Sequence, residues 1–462
     1  IYLDFIFIFN MPVCLLVILI ILIHFCLCFK SLAYGCAFYI AVKMIIPTPT
    51  RVAGLSLYTF MLVILIFFAM VRHMVWRKDK KNAKAATFPF VYLIFPIAIL
   101  GLFGVVDYSF QYRSLIQFAL TEVSPFFLLM IAIKNEDELR LCVKTLSISY
   151  LIIGVWGIVT YITHINLYVL LFANAFDYSG ELYVGNGEEM LRGVLSSSAS
   201  GNQSEGAIPW GQISLVMLTF GLFYQKIDNK ILKNSFIILA VLNCFLSTKR
   251  SVIVPMLLLL GYMFVNKGIF TRKNLIRGIG FVIIGIVLYI NVPVVRDVYH
   301  SNIETALFFW DDDLAAEHDF KGSNKSMRMS QAIYVNNLIS DHFFAGLGYG
   351  YPIVHNMKYH GATDALYFES LYLDTISSSG YIGFLVWIFF FFLLIKKTNF
   401  ACRNKLDNYS LHGGYILSVF LTNIYCSFAY YMIVIALFVK YKQLYGYSCY
   451  RPLYFVKKTK PK

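Results

Sequence analysis

Charged side chains are scarce in this chain of 462 residues, and their scarcity excludes a soluble fold of this size. Asp, Glu, Lys and Arg together make up 14 % of the residues, hydrophobic residues make up 59 %, and the mean hydropathy is +0.68. Many apolar runs reach about 18 residues, the length of a membrane-spanning helix. Lipid offers the backbone no hydrogen bonds, and the runs lack the alternation of barrel strands. The composition therefore predicts an all-α membrane protein.

Cysteine is absent from the two long polar segments, residues 166–207 and 292–377. This excludes a disulfide framework or a Cys-x-x-Cys metal site in either segment. The nine cysteines lie in or near apolar runs, where a thiol packs as a small apolar group: Cys14, Cys26, Cys28, Cys36, Cys142, Cys244, Cys402, Cys426 and Cys449.

The net charge of +14 comes from short clusters of Lys and Arg between the apolar runs. This distribution is typical of the positive-inside rule for cytoplasmic loops. No basic stripe stands on a soluble module, so we expect no nucleic-acid partner. Alternation of the clusters places residues 166–207 and 292–377, which are both acidic, on the outer side.

These patterns predict a polytopic helical bundle of about 12 transmembrane helices (11–13) that forms a single integral membrane domain over residues 1–462. We expect residues 12–29 to be the first span, because they are too long and apolar for a cleaved signal. The outer side carries a smaller loop at 166–207 and a large loop with short helices at 292–377.

One short basic turn departs from the positive-inside rule. Lys249 and Arg250, within Ser247-Thr-Lys-Arg-Ser251, join two spans on the outer side. They could reach out to the phosphates of membrane lipid. Alternatively they form an anion site, since Arg grips phosphate with a planar fork and Lys adds a point charge.

The large loop contains two local patterns. Ala332, Val335 and Ile339 recur at helical spacing within residues 326–339, which predicts an amphipathic helix. The glycines of Gly346-Leu-Gly-Tyr-Gly350 predict a turn with close backbone approach. No strand precedes that turn, so it is not a dinucleotide-binding motif.

An aromatic stretch ends the loop, and it contains the carboxylates of Glu369 and Asp374 with Tyr372 between them. Aromatic faces stack on sugar rings and carboxylates accept hydroxyl hydrogen bonds, so a sugar site is one interpretation. An aromatic belt at the membrane interface with solvated acids is the other.

Further polar residues are candidates for metal binding or for internal pairing. Scattered histidines and Asp311-Asp-Asp313 lack the spacing of a metal motif, so we expect no metal site. Within an apolar run, Glu122 is either paired internally with Arg113 or exposed to water near Pro125.

Three motifs resemble the bacterial superfamily of O-antigen polymerases (Wzy type) and O-antigen ligases. Ser247-Thr-Lys-Arg-Ser251 is similar to its short basic start of a mid-chain span. Arg328 followed by Gly346-Leu-Gly-Tyr-Gly350 is similar to its loop helix and Gly-x-Gly turn. The segment from Glu369 to Gly383 resembles its last loop-to-helix segment, but Glu369 stands where ligases carry His. That departure favours a polymerase.

The resemblance implies a glycosyltransferase of the bacterial inner membrane whose active face is periplasmic. It would join undecaprenyl-pyrophosphate-linked oligosaccharides by block transfer, without metal or cofactor, with a chain-length regulator protein as a further partner. Arg250 and Arg328 would act on the pyrophosphate and Glu369 as base, all three catalytic. The expected substrate-binding residues are Lys249, Arg296, Gly346, Gly348, Tyr372 and Asp374.

Two other functions remain open at this point. An O-antigen ligase would transfer finished polymer to the lipid A-core. A lipid-linked oligosaccharide flippase should show repeat symmetry and no long soluble loop, whereas no repeat is visible here.

Overall fold

The structure is a computed structural model whose described part is almost entirely helical. It describes residues 11–46, 51–52, 55–75, 89–163, 207–224, 230–247, 249–266, 325–358, 368, 370–398, 405–423 and 427–445, with scattered residues between 283 and 299. The predicted loop at 166–207, except for Ala207, and most of residues 292–324 lie outside this part. The one strand pairing described is the antiparallel pair of Arg51–Val52 with Leu55–Ser56.

Fifteen α-helices of the described residues carry labels in chain order. They are α1 Met11–Lys30, α2 Leu32–Ile45, α3 Leu57–Val75, α4 Val91–Leu100, α5 Tyr108–Phe118, α6 Ser124–Ala132, α7 Glu136–Thr163, α8 Ala207–Phe223, α9 Lys230–Leu246, α10 Arg250–Asn266, α11 Lys325–Leu338, α12 Tyr351–Lys358, α13 Leu371–Thr398, α14 Lys405–Leu421 and α15 Phe428–Tyr445.

Three described helical stretches are long and apolar enough to cross a membrane: Tyr108–Ala132, Glu136–Val159 and Leu371–Thr398. The first is α5 and α6 joined through a π-helical turn at Ala119–Val123. The third, α13, has 28 residues and contains a kink at Gly380. Shorter apolar helices accompany them. The predicted all-helical membrane bundle is confirmed, while the number of spans and their sidedness stay predictions.

The last described helix, α15, lies at the centre of the bundle. Every residue from Phe428 to Tyr441 is buried, as expected for a helix that is apolar all round. Helix α15 packs against α6, α7 and α8. One buried polar cluster ties the neighbouring helices together: the Trp210 indole donates to Asn243 at 2.9 Å, and Asn243 donates to the Gly154 carbonyl at 3.2 Å.

The loop helix α11 belongs to a separate, smaller apolar cluster. This cluster consists of Val335, Ile339, Leu347, Phe368, Leu373 and Ile376. The amphipathic helix predicted at 326–339 is confirmed as Lys325–Leu338, with Val335 on its buried side and Ile339 buried directly after its last residue. The small cluster holds the loop against the first turns of α13.

Candidate functional site

The glycine turn at residues 346–350 is largely buried. Gly346, Gly348 and Gly350 have φ values of 72°, 114° and 82°, in the left-handed region that favours glycine. A Cβ added at Gly346 would lie 2.4 Å from the backbone nitrogen of Gly380. The predicted close-approach turn is confirmed, and its neighbour is the backbone of α13.

Helix α13 is interrupted at Gly380, where φ is 66° and ψ is −170°. The glycine turn, together with residues 343 and 344 just before it, replaces the broken helical hydrogen bonds. Leu347 and Gly348 donate to the carbonyls of Ser377 and Ser378 at 2.8 and 2.9 Å. Conversely, the N–H groups of residues 381 and 382 donate to the carbonyls of residues 343 and 344 at 3.1 and 3.3 Å. Loop and helix thus exchange four backbone hydrogen bonds.

The other side of the glycine turn contacts the segment before α5. Val105 donates from its backbone to the Leu347 carbonyl at 2.8 Å. The buried amide of Gln111 donates to the Val106 carbonyl at 2.6 Å and accepts from the Tyr349 N–H at 3.1 Å. The turn is therefore clamped between α5 and α13.

Asp107 fixes the start of α5, which presents Gln111. Its carboxylate accepts hydrogen bonds from the Ser109 hydroxyl and the Phe110 N–H, as an N-cap residue does. These hydrogen bonds lower the pKa of Asp107, the Ser109 hydroxyl making the largest contribution. The carboxylate is exposed and stays ionised at neutral pH.

The two predicted catalytic arginines are brought together. Arg250 is the first residue of α10, and Arg328 lies in the first turn of α11, 78 positions later. The positive charge of Arg328 acts on that of Arg250, so the two guanidinium groups lie within electrostatic reach of each other. Both side chains are partly buried. Guanidinium groups are frequent protein partners of phosphate, which they bind with two parallel hydrogen bonds.

The start of α10 adds further polar groups beside Arg250. The carbonyl of Lys249 accepts from the N–H groups of Val252 and Ile253, both at 2.9 Å, so Lys249 caps the helix by its backbone and is only partly buried. The hydroxyl of Ser251 is buried and has no hydrogen-bond partner within the described residues. A helix N-terminus carries a partial positive charge that favours anions.

Asp374 is held by two side chains near the glycine turn. Its Oδ2 accepts from Asn423 at 2.6 Å and its Oδ1 from Ser378 at 3.1 Å. The amide of Gln212 donates to the Asn423 carbonyl at 2.7 Å, and Ser427 donates to Gln212 at 2.6 Å. Asp374 therefore ends a polar network that reaches the bundle core. Its part in sugar binding stays a prediction.

The remaining predicted residues are spread around this region. Arg296 is exposed and donates to the carbonyl of Ile290 at 3.1 Å. Tyr372 packs against the small apolar cluster. Gly346 is buried against the backbone of α13 and Gly348 against the side chain of Gln111, which explains why glycine stands at both positions but does not test substrate binding. Glu369, the predicted base, lies outside the described residues.

Lys43 is a polar residue of the core that sequence reasoning missed. Its ammonium lies 5.0 Å from the Tyr58 ring centroid and 5.3 Å from that of Tyr430. Lys43 supplies the charge that acts on Glu122, whose carboxylate accepts from the Ala429 N–H at 2.7 Å. The signal available in the sequence was a lysine near the end of an apolar run.

The pairing of Glu122 with Arg113 that the sequence offered as one alternative is therefore not what the structure shows. Arg113 is exposed on α5, and the charge near Glu122 is that of Lys43. Glu122 sits in the π-helical turn Ala119–Val123, a helix type that recurs at functional sites. The extra residue of that turn changes the direction in which Glu122 faces, so spacing from Arg113 does not predict its partner.

No three His, Cys, Asp or Glu side chains of the described part come close enough together to hold a metal ion. Independence of metal stays a prediction, because the part of the large loop that carries Asp311–Asp313 lies outside the described residues.

Residues 235–388 match a family model described as O-antigen ligase. The resemblance to the O-antigen polymerase and ligase superfamily is confirmed. The match covers about a third of the chain and includes Arg250, Arg328, the glycine turn and the kink at Gly380. No curated protein matches this chain. Members of this superfamily are membrane glycosyltransferase-like enzymes, so the described helices and the match together favour a membrane enzyme of surface-polysaccharide synthesis.

Proposed function

We propose that this protein is an O-antigen polymerase of the bacterial inner membrane. It joins undecaprenyl-pyrophosphate-linked oligosaccharide repeat units on the periplasmic side by block transfer. The observation that carries the proposal is the approach of Arg250 and Arg328, which come from a span and from the loop helix. A loop that brings an arginine back to the start of a span creates a cationic site at the membrane surface.

The reaction needs such a site because the leaving group is a lipid pyrophosphate. The bond between the anomeric carbon of the donor chain and the pyrophosphate oxygen breaks, and the electron pair stays on that oxygen. Cations placed in advance stabilise this developing charge. Arg250 and Arg328 supply them, with Lys249 beside Arg250 and Arg296 as an outer contact for the substrate.

The acceptor is a sugar hydroxyl of a second lipid-linked unit. Its oxygen forms the new bond to the anomeric carbon, and its proton goes to a base. Glu369 is the candidate, since a carboxylate stands there instead of the His of ligases. Asp374 is held by Asn423 and Ser378, so we assign it to positioning rather than to proton transfer.

O-antigen ligase is the second candidate, because the description of the matching family favours it. A ligase uses the same donor chemistry and differs in its acceptor, the lipid A-core. The pair of arginines serves both reactions. Glu369 is the feature of this chain that favours the polymerase.

Deletion of the gene, followed by a gel of lipopolysaccharide, separates the candidates. Core carrying a single repeat unit is expected for a lost polymerase. Bare core with lipid-linked polymer accumulating would assign the chain as a ligase. Undecorated core with single lipid-linked units trapped on the cytoplasmic side would instead indicate a flippase and contradict both.

A further inference from the structure

Three glutamines are buried in the described part of the chain, and they differ in how their amides are satisfied. Gln111 uses both ends of its amide, with Val106 and Tyr349 as partners. Gln212 also uses both ends, donating to Asn423 and accepting from Ser427. Gln331 is 0 % exposed, yet neither its Oε1 nor its Nε2 has a hydrogen-bond partner among the residues that the structure describes.

A buried amide without hydrogen bonds lowers the stability of the folded protein, so its presence needs an explanation. Gln331 lies on the loop helix α11, three residues after Arg328. Residues three apart lie on the same helix face, about 4.5 Å apart along the axis. The unpaired amide is therefore next to the guanidinium that we assign to the pyrophosphate.

The chemistry of an amide identifies what it can bind. A phosphate only accepts hydrogen bonds, so it would leave the carbonyl oxygen of Gln331 unpaired. A sugar hydroxyl both donates and accepts, and an acetamido group offers one donor and one acceptor. A sugar thus satisfies both ends of the amide where a phosphate cannot.

We propose that Gln331 binds the sugar attached directly to the pyrophosphate, and so discriminates between donors by that sugar. This inference rests on the proposed function. In the ligand-free chain the amide is covered, so binding requires α11 to shift. That helix is held by the small apolar cluster of six buried residues and by two side-chain hydrogen bonds, from Tyr381 to Asn336 at 2.6 Å and between Tyr334 and His355 at 2.8 Å. Regions with few buried contacts open at low cost.

The first test concerns the ligand-free protein and compares Gln331→Met with Gln111→Met in the purified full-length chain. Met has a similar size to Gln and no polar group. Removing an unpaired amide is neutral or stabilising, whereas removing a paired one leaves its partners unsatisfied. We expect the melting temperature of the Gln331→Met protein to equal or exceed that of the wild type, and that of Gln111→Met to fall. An equal fall in both variants would mean that the Gln331 amide is already satisfied, and would overturn the proposal.

The second test measures binding of two kinds of probe to the same proteins. One is undecaprenyl pyrophosphate without sugar, and the other is the same lipid carrying a single hexose or N-acetylhexosamine. Gln331→Met should weaken binding of at least one sugar-bearing lipid about tenfold, the loss of one or two hydrogen bonds, and leave the sugarless lipid within twofold. Arg328→Ala should weaken both.

Each outcome of the binding test supports or contradicts either the sugar assignment of Gln331 or the proposed function. Equal losses for sugarless and sugar-bearing lipids in Gln331→Met, or no loss for any sugar-bearing lipid, would overturn the sugar assignment and leave the proposed function standing. Wild-type protein that binds none of the lipids would contradict the proposed function and the inference with it.

Discussion

Asn423 donates a hydrogen bond of 2.6 Å from its side-chain amide to Oδ2 of Asp374, joining the end of α14 to the first turn of α13. Asn423→Asp should place two carboxylates face to face and destabilise the protein by about 2 kcal/mol or more. The exchange Asp374→Asn with Asn423→Asp restores one amide and one carboxylate. We expect the double variant to melt closer to the wild type than Asn423→Asp does, in detergent-solubilised protein.

A double variant no more stable than Asn423→Asp would show that the pair does not hold the helices together. Polymer length in cells provides the second measurement. If stability returns but polymer does not, Asp374 is needed as a carboxylate by the substrate, as the sequence pattern suggested.

Arg250 and Arg328 should both be required for polymer. Removing one preorganised donor to a developing anion lowers the rate about 100-fold to 1,000-fold, so Arg250→Ala and Arg328→Ala should each abolish long-chain lipopolysaccharide without loss of protein. Arg→Lys at either position keeps the charge but loses the planar fork, and should give an intermediate result on the gel. The double Ala variant should be little worse than either single one.

Arg140→Ala is the matched control for the arginine variants. Arg140 is exposed and pairs with Glu136 at 3.7 Å on the same helix, a kind of pair that contributes little to stability. Normal long-chain lipopolysaccharide in cells with the Arg250→Ala and Arg328→Ala variants, at wild-type protein levels, would contradict the proposed anion site.

Gly346→Ala should destabilise the protein by more than about 2 kcal/mol. The added Cβ meets the backbone of α13 at 2.4 Å, and φ at Gly346 is 72°, so strain and overlap act together. Gly413→Ala is the control, because nothing lies within 4 Å of a Cβ built there and Ala favours a helix. Protein level and melting temperature are the measurements. Equal melting temperatures and protein levels for the two variants would contradict the tight packing of the glycine turn against α13.

Lys43→Met should destabilise the protein by about 1 to 3 kcal/mol, because it removes an opposite charge that acts on the buried Glu122 carboxylate. Lys43→Met combined with Glu122→Gln removes both charges and should regain most of the loss. Arg113→Ala, on the exposed side of α5, should melt like the wild type. A fall for Arg113→Ala as large as that for Lys43→Met would restore Arg113 as the partner of Glu122.

The features that the sequence predicted best are local ones. Apolar run length predicts helices such as α7 and α13, and the spacing of Val335 and Ile339 predicts the buried side of α11. Closely spaced glycines predict a turn with close backbone approach at 346–350. Each of these depends on neighbours within a few positions along the chain.

The features that were missed depend on partners far apart in the chain. The charge of Lys43 acts on Glu122 because α2 packs against α6, the helix that follows the π-helical turn, and no local pattern predicts that arrangement. The exchange of hydrogen bonds at Gly380 needs the loop at 343–348 in place before the kink is stable. For the same reason the sequence placed Arg250 and Arg328 in one reaction but could not show that their charges lie within reach of each other.

The exchange of backbone hydrogen bonds between residues 343–348 and 377–382 bears on how the substrate range of such proteins can be altered. A loop transplanted between two relatives would lose the hydrogen bonds that hold it unless the kinked part of α13 and the segment at 101–111 were transplanted as well. Chimeras cut at the apparent loop boundaries should therefore misfold. Chimeras cut beyond residue 383, with residues 101–111 exchanged as well, should fold and have the substrate specificity of the protein from which the loop was taken.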